Sequence, residues 1–141
     1  MTAAHPRLDH VGLNVADLAA AESWYTLAFG LRVEMRLRVA PVGLDIVMLI
    51  SDEHGYRLEL LYRDGGSPGA RADSPAAAVL SHGFGHVAFG VPDLEKAYRH
   101  LLALGAKPVM APCPSPESGV DMAYVADPEG NLLELLDRRP S

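Results

Sequence analysis

The sequence predicts an α+β fold of two tandem βαβββ modules, and three observations carry that expectation. The chain matches itself twice: HVGLNVADL at 10–18 lies on HVAFGVPDL at 86–94, and DEHGYRLELL at 52–61 lies on DPEGNLLELL at 127–136. The first match is offset by 76 positions (10 to 86) and the second by 75 (52 to 127). One residue of slippage, in the helix or its exit, reconciles the two. Self-similarity at a fixed period marks a duplicated supersecondary unit. Each copy also switches from strand-like apolar runs to helical apolar spacing and back. Finally, Asp17 and Asp93 stand at matching points as N-cap residues, able to accept the orphan N–H groups of a first helical turn.

The elements follow in order. Residues 8–15 and 85–91 are short, apolar and rich in β-branched side chains, as strands are. After Asp17, Leu18, Ala21, Tyr25 and Ala28 share one helical face. After Asp93, Leu94, Ala97, Tyr98, Leu101 and Leu104 do the same. Trp24 and Tyr25 read as packing residues. Gly30 and Gly105 end the helices as left-handed caps. Strands are expected near 31–39, 44–51 and 57–62, then near 107–111, 120–126 and 131–136, with DEHG and DPEG as hairpin turns. Module one covers about 7–63, a linker about 64–83, and module two about 84–137, in one domain spanning 1–141. The linker opens as Gly/Pro/Ser-rich loop, with 75–81 as a short helix. APCPSPESG at 111–119 is read as a Pro-rich loop able to shape substrate choice.

Composition bounds the function. With 49% hydrophobic and 21% charged residues the chain can bury a core. A net charge of −6 without a Lys/Arg run lacks the electrostatic footprint of a nucleic-acid binder. No apolar run reaches spanning length and no leader pattern opens the chain, so membrane association is not expected. Cys113 is alone, which excludes an internal disulfide and fits a reducing, cytoplasmic setting. No paired base is evident for it, so it is not read as a nucleophile.

Strand parity supplies candidate site residues. His10, Gly12 and Asn14 share one face of the first strand, and Val11, Leu13 and Val15 the other. In the second copy His86, Ala88 and Gly90 oppose Val87, Phe89 and Val91. The bulky face must pack on the helix, so each histidine projects from the opposite face among residues with almost no side chain. That is the lining of a cavity. Glu59 and Glu134 sit among leucines, where a carboxylate is costly unless paired or bound to metal. One such histidine or glutamate would be an ordinary strand residue. Four at equivalent positions, brought together about a pseudo-twofold axis, form a donor set suited to a divalent first-row ion. Donor type leaves Ni, Co, Zn, Mn and Fe all open. His5, His54, His82 and His100 have no repeat partner in a matching role and are expected at the surface.

On LDHVGLNVADL, GYRLELL, GFGHVAFGVPDL and VADPEGNLLELL the chain resembles the vicinal oxygen chelate superfamily, the glyoxalase/bleomycin-resistance/dioxygenase group, over nearly all of residues 7–137. The resemblance implies a cupped, incomplete β-barrel around one divalent metal ion per chain, held by His10, Glu59, His86 and Glu134, in a homodimer. The second half is similar to glyoxalase I, and the linker DSPAAAVLSHG to that of methylmalonyl-CoA epimerases. Both imply a small substrate offering two oxygens to the metal, and proton transfer beside the polarised carbonyl, with Glu134 or Glu59 as base. The separate glutamate of the epimerases aligns with Ile46, a departure that leaves Asp45 as a fallback base, and Asp121 as another if its strand parity turns it inward. Asn14, Met48, Met122 and Tyr124 are candidate substrate-lining residues. Extradiol-type dioxygenation requires three open metal positions, which Glu59 argues against. Metal-free sequestration of a drug or metabolite, as in bleomycin-resistance proteins, is opposed by the retention of all four donors. Thiol transfer to an epoxide shares the same ligand types.

Overall fold

The computed structural model describes residues 4–138, and the chain divides into two compact units, Met1–Ser67 and Pro68–Ser141. The first contains β1 (Val11–Asn14), α1 (Leu18–Phe29), β2 (Arg32–Val39), β3 (Leu44–Ile50) and β4 (Arg57–Arg63). The second opens with the short helix α2 (Pro75–Ala78) and continues through β5 (Val87–Gly90), α3 (Leu94–Ala103), β6 (Lys107–Pro114), β7 (Val120–Ala126) and β8 (Leu132–Arg138). Each unit is the expected βαβββ module. The sheets run β1-β4-β3-β2 and β5-β8-β7-β6. In both, the first strand pairs in parallel with the last, and the other pairings are antiparallel.

Local signals place the helices. The Asp17 carboxylate accepts the Ala20 N–H at 3.0 Å, and that of Asp93 the Lys96 N–H at 3.1 Å. Helix α1 ends at Gly30, whose φ of +64° is a conformation glycine adopts without steric cost. Helix α1 buries Ala21, Trp24, Tyr25 and Ala28, and α3 buries Leu94, Tyr98 and Leu101. Trp24 and Tyr25 are packing residues, as expected, with their rings edge-to-face at 4.8 Å. The strands supply Leu49 and Leu60 to the first core, and Val125 and Leu135 to the second, all fully buried. Among the described residues, no helix is long and apolar enough to cross a membrane.

Several boundaries differ from the sequence reading. Strands β1 and β5 begin at Val11 and Val87, just after the histidines, because the ladders of β4 and β8 offer partners only from Leu58 and Leu133. Residues 111–114 are strand, not loop. Pro112 and Pro114 are tolerated there because β6 is an edge strand with register shifts on either side of Met110. Helix α2 stops at Ala78 rather than 81.

The slip between the copies also recurs. Strands β2 and β6 start 75 apart (32 to 107), β3 and β7 76 (44 to 120), and β4 and β8 75 (57 to 132). The first hairpin is therefore one residue longer, and Ser51 rather than Asp52 takes the structural place of Asp127. Ser51 is buried, and its hydroxyl accepts the His54 N–H at 3.0 Å. Asp127, 2% exposed, accepts the backbone N–H groups of Glu129 at 3.0 Å and Asn131 at 2.8 Å, and the Asn131 amide at 2.9 Å. Asp52 is exposed and pairs with Arg32 at 2.7 Å.

Asp127→Ala therefore strands part-buried donors and is expected to cost about 1–3 kcal/mol in chemical denaturation. Asp52→Ala should leave the midpoint nearly unmoved, since exposed ion pairs contribute little. Equal losses in the two variants would refute this assignment of the turns.

Candidate functional site

The parallel ladders bring the site residues together within each unit. Glu59 on β4 faces Gly12 on β1 and Met48 on β3. Glu134 on β8 faces Ala88 on β5 and Tyr124 on β7. Paired residues share a sheet face, so Gly12, Asn14, Met48 and Glu59 lie on one side. Val11, Leu13, Val47, Leu49, Leu58 and Leu60 lie on the other, with α1. Glu59 leans across the space Gly12 leaves empty: a Cβ there would sit 3.5 Å from its Oε1.

Each histidine stands two residues ahead of that small residue and reaches the glutamate. Nε2 of His10 lies 3.4 Å from Oε1 of Glu59, and Nε2 of His86 lies 2.9 Å from Oε2 of Glu134. The carboxylates are the more sheltered partners, at 19% and 13% side-chain exposure against 34% and 39% for the imidazoles. Sheltered carboxylates beside half-open imidazoles are poised to share a cation.

The two pairs differ in what supports them. In the first unit, Nδ1 of His10 lies 2.7 Å from Oδ2 of Asp9. That hydrogen bond, with the Glu59 charge adding to it, holds the His10 imidazole above its ordinary pKa, and holds the Asp9 carboxyl below its own. Arg57, gripped by both carboxylate oxygens of Glu34, adds positive charge near Asp9. The second unit has Gly85 at the matching position. There the His86 ring meets Tyr124 edge-on, with centroids 5.5 Å apart. Burial, then the charge and hydrogen bond of Glu134, push the Tyr124 phenol up to about 12. At neutral pH the Tyr124 hydroxyl is a donor, and Glu134 is its acceptor.

The other sequence candidates separate by parity. Asn14 pairs with Leu61 on the glutamate face of its sheet, Met48 lies beside Glu59, and Met122 pairs with Leu136 on the face of Glu134. Asp45 and Asp121 both lie on the sheet face away from the glutamates. Asp45 pairs with Tyr62 on the face opposite Glu59, and its carboxylate takes Arg38 at 2.8 Å. Asp121 faces Asp137 across the ladder, again opposite Glu134. Asp121 and Asp137 line, with Asp93, Glu95 and Cys113, a cavity of about 470 Å³ beside the start of α3. The four histidines read as surface residues, His5, His54, His82 and His100, are all exposed. Asp9 carries no repeat signal in the sequence. Its only signal is a carboxylate next to one histidine of the repeat and absent next to the other.

Imidazole nitrogen and carboxylate oxygen are the donors a divalent first-row ion takes, so each pair fits half of such a site. Among the described residues, no group of three or more His, Cys, Asp or Glu side chains gathers into a metal-holding cluster. The structure assembles two pairs, one within each unit.

The family model of the Glyoxalase/Bleomycin resistance protein/Dioxygenase superfamily matches residues 7–135. The chain is similar to a putative lactoylglutathione lyase of Brassica oleracea var. gemmifera, 29% identical over 96% of this chain and 45% of that protein. It is similar also to biphenyl-2,3-diol 1,2-dioxygenase 3 of Rhodococcus globerulus, 29% identical over 92% of this chain and 62% of that one. Its fold is similar to that of a glyoxalase I mutant from Zea mays, with a TM-score of 0.75 at 24% identity over 95% of this chain and 45% of that chain. The chain thus spans about half the length of the first curated relatives it matches.

A tyrosine whose pKa rises on folding, from its ordinary 10 to about 12, holds its proton more tightly in the native state. Its contribution to stability is complete below pH 10 and is lost as the pH climbs toward 12. In an ultraviolet tyrosinate titration of the folded protein, Tyr124 should be among the last to ionise. Tyr124→Phe should delete that late component, and deletion of an ordinary component instead would count against the Tyr124–Glu134 bond.

Proposed function

The chain belongs to the Glyoxalase/Bleomycin resistance protein/Dioxygenase superfamily, and from that premise we propose that it is a divalent-metal-dependent enzyme of the glyoxalase type. In this reading it is a lyase or isomerase that moves a proton on the carbon beside a carbonyl group. The observation that carries the reading is the His–Glu pair found at the same ladder position in both modules. The name of the Brassica relative, a putative lactoylglutathione lyase, supports the same class.

In this proposal His10, Glu59, His86 and Glu134 hold one ion per chain. When bound, the ion supplies Lewis acidity to a small substrate that offers it two oxygens. The imidazoles contribute neutral nitrogen donors, and the carboxylates offset the positive charge. Glu134 or Glu59 takes the proton from the carbon next to the substrate carbonyl onto a carboxylate oxygen, then returns it to carbon. The Tyr124 hydroxyl donates to Glu134, which keeps that carboxylate oriented and lowers its freedom to rotate away. Met48 and Tyr124, both largely buried beside the glutamates, exclude water from the proton's path. Asn14 and Met122 complete the substrate-facing set. A cytoplasmic homodimer is part of the same proposal.

The test uses lactoylglutathione in heavy water, followed by the loss of the lactoyl C–H signal. The metal-loaded wild type should exchange that proton for deuterium, and Glu134→Gln should slow exchange by roughly 10²–10⁴-fold while unfolding as cooperatively as the wild type. Metal content by mass spectrometry should be about one ion per chain, lost in the His10→Ala/His86→Ala double variant. Near-normal exchange in Glu134→Gln would remove it as base. Oxygen uptake with a catechol, and no exchange, would move the protein to the dioxygenase branch.

A further inference from the structure

We propose that Asp9 is a positioning residue for the metal-binding face of His10, and that this device is built into the first module only. The proposal rests on the metal reading of the His–Glu pairs. Its ground is the 2.7 Å contact between Oδ2 of Asp9 and Nδ1 of His10, set against the 3.4 Å approach of Nε2 to Glu59 on the other side of the same ring. An ionised carboxylate only accepts hydrogen bonds, so Nδ1 must carry the donated proton. In the neutral ring the lone pair then lies on Nε2, the nitrogen that faces Glu59. The tautomer competent to bind a cation beside Glu59 is selected before any cation arrives.

Without Asp9 the acceptor left to the neutral ring is Glu59 beside Nε2, which draws the proton to the nitrogen a cation would need, and the ring rotates more freely about its side-chain bonds because the imidazole is only partly buried. A carboxylate behind a ligating imidazole fixes both tautomer and orientation, and its removal typically costs 10–100-fold in metal affinity.

The second module lacks the device for want of a side chain, not for want of room. A Cβ added at Gly85 would meet no atom within 4 Å. His86 is instead placed by the Tyr124 ring and by its own closer contact with Glu134 at 2.9 Å. His86 is therefore an internal reference for any measurement on His10.

The experiment is a long-range ¹H–¹⁵N spectrum of the metal-free protein at a pH where the imidazoles are neutral, paired with Zn²⁺ affinity by chelator competition. In the wild type His10 should show the Nδ1–H tautomer. Asp9→Ala should shift its nitrogens toward the Nε2–H tautomer, leave those of His86 unmoved, and weaken Zn²⁺ binding about 10–100-fold. Asp9→Asn keeps a carbonyl acceptor at the same reach and should restore the tautomer. If Asp9→Ala changes neither the nitrogen shifts nor Zn²⁺ affinity while His10→Ala destroys binding, the positioning role is overturned and the metal site stands. If His10→Ala binds Zn²⁺ as tightly as the wild type, the metal reading fails and the proposal falls with it.

Discussion

The parallel pairing of the first strand of each module with its last is the contact on which the site depends. Antiparallel neighbours can be joined by a hairpin, but a parallel neighbour requires the chain to cross over and return. Here the crossover consumes the helix and two further strands. What it achieves is register: Gly12 beside Glu59, and Ala88 beside Glu134. A histidine two residues upstream is then carried to the same carboxylate. If the pairing slipped by one residue, every side chain would change face and the glutamate would point into the helix. The apolar residues on the helix side, with Leu49 and Leu60 in one unit and Val125 and Leu135 in the other fully buried, make that slip prohibitive. Core and site are specified by one alternation.

Duplication preserved the ladder and let the side chains around it diverge. The glutamate is crowded by Met48 in the first unit and by Tyr124 in the second. The histidine has Asp9 behind it in the first and Gly85 in the second. Each pair thus has one member held by an extra hydrogen bond, but not the same member: the imidazole in module one, the carboxylate in module two. This division suits an enzyme that needs firm nitrogen donors and also a carboxylate oriented toward a reacting carbon. The hairpins diverged in the same way. A buried serine and a buried aspartate close equivalent turns of different length, each accepting part-buried backbone N–H donors of its own turn.

The family similarity and the local geometry carry different weights. The match over residues 7–135 establishes the superfamily, and the proteins similar to this chain bear the names of a putative lyase and of a dioxygenase. The choice between those chemistries belongs to the site. In the proposed reading, two sheltered carboxylates rather than one, each paired with an imidazole, would leave one to act as base while the rest of the donor set remains.

The sequence by itself determined the duplication, the βαβββ order, the helix caps at Asp17 and Asp93, and the four residues of the two His–Glu pairs. These are local or periodic properties, readable wherever bulky and small residues alternate, as they do in LDHVGLNV and GHVAFGV. Tertiary structure alone decided the rest. The strands LDIVMLI and VDMAYVA are apolar on both faces, so no alternation in the sequence could show that Asp45 and Asp121 turn away from the glutamates. The exchange of Ser51 for Asp52 in the turn, the edge-strand character of residues 111–114, and the contact of Asp9 with His10 likewise depend on loop length, neighbours and rotamers. Register and orientation are non-local quantities, fixed only when one strand has found its partner and the side chains have closed around the space between them.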